Sequence, residues 1–326
     1  MPTAARLHGA HDVRVADEPT PEPRPGESLI RVEAVGLCGS DLHWFEDGAI
    51  GDATLAGPVV PGHEFAGIVE QGPLQGRRVA VDPALPCGRC RMCLEGHHNL
   101  CPHTAFAGHA DRDGGLQRHL AWPDGALHPL PDGFDGVTGA LLEPLGVAIH
   151  AFDLGHVNLA DTVAVLGCGP IGLLIVQVAR AAGARVVLAT DPLPHRREAA
   201  TRAGAEHAVA PDQLPDIQVD VAFEAAGAQQ AVDHALQLAR PGARVVLAGI
   251  PGDDRTSFSA SLARRKGLTL VMARRMKAVY PRAVALVESG RVELDWLVTH
   301  RFPLERSADA FATAAARDGL KVLIEL

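Results

Sequence analysis

Hydrophobic and polar positions change rhythm along the chain. In the first part, apolar residues come in short runs at 29–35, 65–69 and 78–81, separated by Pro, Gly and His. Short runs bounded by turn residues predict a mostly β, irregular domain. From about Gly146 to Ala273 strand-like and helix-like segments alternate. Thr162–Leu166 reads as a strand, and Ile171, Leu174, Ile175, Val178 and Ala179 then recur at helical spacing. Further strands are expected at Arg185–Thr190, 207–210, Val219–Glu224, 244–249 and 268–273. Gly183, Gly204 and Gly242 each follow a helical run and precede a strand, where a left-handed C′ residue is wanted. Such alternation predicts a doubly wound parallel sheet with helices on both faces. Two helices, 282–289 and 308–316, and a strand at 321–326 complete the pattern. That strand has no helix after it and needs a sheet to join: the first domain's, or a seventh place in the parallel sheet. The expected division is 1–146, 147–280 and a segment 281–326 returning to the first domain.

Composition narrows the class. The 326 residues suit two domains, with 47% hydrophobic and 21% charged positions, which excludes global disorder. A formal charge of −9 argues against nucleic acid as a partner. The stretch 163–189 is the most apolar, but Arg180, Arg185 and several glycines interrupt it, and the first 17 residues lack the apolar core of a secretory signal. A soluble, cytoplasmic protein with no membrane partner is expected. Tyr280 has Val284 four residues on, which excludes the Tyr-x-x-x-Lys acid of short-chain dehydrogenases.

Gly167-Cys168-Gly169-Pro170-Ile171-Gly172 lies between a predicted strand and helix. This Gly-x-Gly-x-x-Gly offers a tight turn, a close approach for a pyrophosphate and the free amides of a helix start. Asp191 closes the next strand, where a carboxylate accepts both adenosine ribose hydroxyls and repels a 2′-phosphate. NAD is therefore favoured over NADP, with Arg196 and Arg197 as the argument for the phosphorylated form. The strand ends at Ala225 and at Gly249-Ile250 should line the same Rossmann crevice.

Four of the six cysteines, Cys87, Cys90, Cys93 and Cys101, fall within fifteen residues. Four thiolates close a tetrahedron around zinc with no open position, so a structural zinc lobe is expected at about 86–102. His97, His98 and His103 lie in the lobe and read as surface residues. Cys38, His63, Glu64 and Glu143 are dispersed. One thiolate, one imidazole and one or two carboxylates suit an open, catalytic zinc, although spacing alone does not join them.

The run Gly36-x-Cys38-Gly-Ser40-Asp41-x-His43, the Gly-His63-Glu64 and Glu143-Pro-Leu pieces, the cysteine lobe and the glycine-rich turn stand in one order. In that order the chain resembles, over its whole length, the zinc-dependent medium-chain dehydrogenases. The sorbitol (polyol) branch is most similar and the threonine branch next. The resemblance implies a Rossmann sheet plus a mostly β, GroES-like catalytic domain. It implies Cys38 and His63 as ligands of the catalytic zinc, with Glu64 or Glu143 as the carboxylate ligand; which one is left open. Asp41 matches the carboxylate behind the imidazole, and Ser40 and His43 match a proton relay. Arg275 weakly matches a basic residue near the substrate pocket and is grouped with the dinucleotide contacts. Trp44, Phe45 and Phe106 are the candidate pocket walls.

The expected reaction is zinc- and NAD-dependent oxidation of a secondary alcohol or polyol, by a homodimer or homotetramer carrying two zinc ions per subunit. Three rivals are a threonine-type dehydrogenase, a zinc-free quinone or enoyl reductase of the same fold, and a dinucleotide-binding sensor with Cys38 as a reactive thiol.

Overall fold

The computed structural model describes residues 3–109 and 112–326. The chain forms two compact units: one of residues up to Glu143 together with Leu294–Leu326, the other Pro144–Glu293.

The first unit is built on a seven-stranded sheet centred on the strand Glu27–Gly36. This strand pairs antiparallel with Glu64–Gln71, with His119–Pro123 and with Lys321–Glu325. At its end, Gly36 stands opposite Glu64 on one side and Leu323 on the other. Ile30 and Val32, then Val35 and Leu37, enter a core that includes Phe65, Leu116, Trp122 and Phe311, the alternation slipping by one residue where the register shifts between Val32 and Ala34. The strand at Lys321–Glu325 thus joins the first unit's sheet, parallel to Val298–Pro303.

The second unit is a six-stranded parallel sheet. Its order is Ala208–Val209, Arg185–Thr190, Thr162–Leu166, Val219–Glu224, Ala239–Leu247 and Thr269–Met272. The helix Pro170–Ala181 starts directly after the glycine-rich turn and buries Leu173, Leu174, Ile175, Val176 and Val178. Gly183 (φ 86) and Gly204 (φ 109) take left-handed conformations at helix ends.

Three expectations are corrected. Gly242 ends no helix. The helix Gln229–Leu238 runs straight into the strand, and residues 240–243 bulge from it, because Val219 pairs with Ala239 and Val221 with Arg244. The helix's last carbonyls are met instead by Lys266, whose Nζ donates to Leu236, Gln237 and Ala239 at 3.1, 2.7 and 2.7 Å. The division at 146 and 281 moves to 143/144 and 293/294, so the helix Tyr280–Glu288 belongs to the second unit. Finally, the stretch 163–189 is not the feature most like a membrane span. Gly136–Gly155 is a 20-residue helix long and apolar enough to cross one, but its residues Ala140, Leu141, Leu142, Leu145, Ala148 and Ile149 are core. Glu143 and Pro144 lie inside this helix.

Candidate active site

Strand register assembles the first constellation. Gly36 faces Glu64, so Cys38, two residues beyond one strand's pairing, meets His63, one residue before the other's. Cys38 is also the N-cap of the helix Gly39–Asp47. The donor atoms of Cys38, His63 and Glu64 all lie within 4.8 Å of one another. Asp41 ties the set together: Oδ2 accepts the Cys38 amide at 2.9 Å, Oδ1 accepts the Gly62 amide at 3.2 Å and lies 3.5 Å from His63 Nδ1. Burial disfavours the Asp41 carboxylate, but His63 and the two amides outweigh it and hold its pKa below the usual value. Burial likewise opposes a charged His63, yet Asp41 and Cys38 raise its pKa well above 6.5. A carboxylate at Nδ1 leaves the Nε2 lone pair for a cation.

These residues fit a divalent ion. Glu64 is buried, and its Oε1 has no hydrogen-bond partner. A thiol, an imidazole and an orphaned carboxylate oxygen are a donor set for zinc. Glu143 is buried nearby, but its carboxylate is not among the converging donors. Burial, opposed by His63 and aided by Glu64, pushes its pKa up to about 8.

Ser40 Oγ lies 3.4 Å from His63 Nε2. His43, on the same helix, has Nδ1 3.4 Å from Asp47 Oδ2. The Phe106 ring stands 5.2 Å from that of His63. Phe45 is corrected: it packs on Phe311 and His11 in the core, which takes it away from a pocket wall. Trp44 is core as well, at 2% exposure, with its ring 5.1 Å from His109.

Lys321 went unnoticed in the sequence. It is 2% exposed, its Nζ donates to the Leu37 carbonyl at 2.8 Å, and it pairs with Glu64 Oε2. No local motif announces it, since it sits 284 positions from Leu37.

The second constellation is the lobe. Cys87, Cys90, Cys93 and Cys101 place their sulfurs within 4.8 Å of one another, with Cys90 3.5 Å from Cys93 and 3.8 Å from Cys101. These separations exceed a disulfide bond, and all four are free thiols. Backbone amides, the Cys87 amide first, lower Cys101 to about 6, whereas burial and neighbouring sulfurs raise Cys93 to about 12. Sulfurs so crowded resist sharing negative charge until a cation compensates them.

The glycine-rich turn is shaped by contact. A Cβ on Gly172 would collide with the Gly167 carbonyl, and one on Gly167 with the Ala226 amide. At Gly169, among the described residues and leaving out its chain neighbours, the one atom within 4 Å of a Cβ is Arg196 Nη1, at 3.8 Å. The space over Gly169 is therefore a cradle that a Cβ would enter, as a pyrophosphate site requires. Asp191 Oδ2 accepts the Cys168 amide and Oδ1 the Leu193 amide, both at 2.9 Å. Arg197 donates to the carbonyls of Asp191 and Pro192. Glu224 Oε1 accepts the amides of Ala226 and Gly227 and so fixes the turn after Ala225, while Gly227 packs against Gly249 and Ile250. Arg275 has a left-handed backbone (φ 53) after the edge strand.

Residues 24–132 match the alcohol dehydrogenase GroES-like domain, and residues 170–289 the zinc-binding dehydrogenase domain. The chain is 34% identical over 340 residues to sorbitol dehydrogenase of Bacillus subtilis strain 168, covering 98% of this chain and 96% of that one. Among solved structures it resembles L-idonate 5-dehydrogenase of Escherichia coli K-12, with TM-score 0.93, 28% identity and coverage of 99% and 98%. It also resembles an alcohol dehydrogenase of Escherichia coli CFT073 complexed with NADH, with TM-score 0.92, 28% identity and coverage of 100% and 99%. The chain belongs to the zinc-binding dehydrogenase family. It is an enzyme, an oxidoreductase of the alcohol dehydrogenase type, and within the family it is similar to the sorbitol dehydrogenases.

Proposed function

We propose that this enzyme oxidises a secondary alcohol of a polyol to the ketone with NAD, using one catalytic and one structural zinc per chain. The observation that carries the reading is the convergence of Cys38, His63 and Glu64 within 4.8 Å, beside a buried carboxylate oxygen with no partner. Cys38, His63 and Glu64 would hold the catalytic ion, and the four lobe cysteines the structural one. Bound zinc supplies Lewis acidity to the substrate hydroxyl and bound NAD accepts the hydride. Ser40 Oγ would accept the hydroxyl proton while giving up its own, and His43, one turn further along the helix and partly exposed, would carry a proton to solvent. Asp41 orients His63, and Phe106 shields the imidazole from water. Glu143 stands buried near the site, outside the converging donors.

The unit up to residue 143 and from 294 is the catalytic one, and residues 144–293 bind the dinucleotide. There Gly169, Pro170, Ile171 and Gly172 receive the pyrophosphate and Asp191 the ribose. Arg196, Ala225, Gly249, Ile250 and Arg275 line the same cofactor. Sorbitol and L-idonate, the compounds named for its relatives, favour a polyol or sugar acid as substrate. Met272, 63% exposed on the edge strand Thr269–Met272, favours a homodimer or homotetramer joined there. Six free thiols suit a reducing cytoplasm.

The test is NAD reduction by purified protein over a panel of polyols, simple secondary alcohols and threonine, with metal content measured and a chelator arm. Turnover of a polyol that chelation abolishes and zinc restores is expected. Chelator-insensitive turnover, or preference for threonine, overturns the reading.

A further inference from the structure

Lys321 is a buried ammonium in a sheet where an apolar residue would pack at lower cost, since desolvating a charge costs several kcal/mol unless it is well paired. Its pairing is specific: one hydrogen bond to the Leu37 carbonyl, beside Cys38, and an ion pair with Glu64 Oε2. The strand register brings it there, because Leu323 faces Gly36 and Gly36 faces Glu64. Gly36 is the floor of this arrangement. A Cβ on it would collide with both Glu64 Oε2 and Lys321 Cε. The glycine has no left-handed φ to explain it, so the space it leaves serves the pair. Glu64 is thereby held through Oε2, while Oε1 has no hydrogen-bond partner, and one oxygen of this carboxylate lies within 4.8 Å of the Cys38 and His63 donors.

We propose that Lys321 is a positioning residue of the metal centre, which tethers Glu64 by one oxygen and offsets the negative charge around the ion. The inference rests on the reading that Cys38, His63 and Glu64 hold zinc. A thiolate at Cys38 and carboxylates at Asp41 and Glu64 place three negative charges round a divalent ion, and Lys321 brings the sum to zero. Without the ammonium, Glu64 would lose the tether on Oε2, leaving both oxygens available, and a nearby positive charge would disappear. The ion is then held more tightly and is a weaker electrophile.

The experiment compares Lys321→Met, Lys321→Gln and Lys321→Arg with the wild type. Zinc affinity is read by competition with a chromophoric chelator, the visible spectrum after cobalt substitution, and kcat with KM. Zinc affinity in K321M and K321Q is expected to rise about ten-fold or more, by removal of a like charge close to the ion. Their cobalt bands should weaken as the coordination number rises, and kcat should fall with little change in KM. K321R, which keeps the charge, should stay near wild type in all three. K321Q keeps a donor for the Leu37 carbonyl and carries the test if K321M does not fold. Unchanged or weaker zinc binding in these variants overturns the proposal, since a merely structural lysine would loosen the site when lost. A wild-type protein that takes up only the lobe's ion overturns the metal reading itself and the inference with it.

Discussion

Asp41 accepts the backbone amide of Cys38 and, through its other oxygen, that of Gly62 beside His63. One buried carboxylate thus fixes the backbone of both candidate ligands and faces the ring of the second. Asp41→Asn keeps a single acceptor oxygen and loses the charge. Residues in this role typically contribute 10–100-fold to metal affinity or activity. Metal content should fall from two ions per chain toward one, with the lobe's ion retained and activity lost in proportion. Elemental analysis after dialysis, alongside the rate of NAD reduction, checks this.

The glycines of the phosphate turn should part company on substitution. Gly172→Ala pushes a methyl group into the Gly167 carbonyl and should lower the melting temperature markedly. Gly169→Ala enters open space at an ordinary φ of −69 and should fold like the wild type, yet bind NAD at least ten-fold more weakly. Thermal melts and dinucleotide titration separate the two effects; equal damage from both would contradict the assignment.

Asp82 gives a pH signature. Burial raises its pKa from the ordinary 3.8 to about 6, against the pull of the Ala84 amide on Oδ1. The folded chain therefore keeps a proton there that the unfolded chain has already released. Stability falls as pH rises from about 4 to about 6, by about 3 kcal/mol at most, and the cost persists above. Asp82→Asn still accepts the Ala84 amide but has no charge to bury. Its melting temperature should exceed the wild type's at pH 7.5 and match it near pH 4.

The lobe predicts a thiol count. In metal-replete protein, Cys87, Cys90, Cys93 and Cys101 should be shielded from an aromatic disulfide reagent, and chelation should expose all four together with Cys38. Cys168, fully buried and pushed up to about 12 by burial, should stay unreactive until the chain unfolds. Cys93→Ser should lose one ion per chain and lower the melting temperature by several degrees. A lobe thiol that reacts at once in the zinc-loaded protein would count against a closed site.

Much of this was legible in the sequence wherever the signal is local. Thr162–Leu166, Arg185–Thr190 and Val219–Glu224 were read with their observed bounds, because an apolar run next to a glycine turn has few other solutions. The lobe likewise carries its geometry in its spacing. What was not legible depends on partners brought from afar. Phe45 looked like a pocket wall until Phe311 arrived to cover it. Gly242 looked like a helix end because the sequence does not say that Lys266 does that work. Lys321 had no motif at all, and only the strand pairing Leu323–Gly36–Glu64 shows why it matters.

The first unit is interrupted in the chain by all of Pro144–Glu293. During synthesis, Cys38, His63 and Glu64 leave the ribosome more than 250 residues before Lys321. The nascent site therefore spends most of translation with its carboxylate unrestrained and an open sheet edge where Lys321–Glu325 will later dock. Until Lys321–Glu325 pairs with Glu27–Gly36, the pocket lacks its ammonium, and zinc acquired before that pairing would meet a differently charged site.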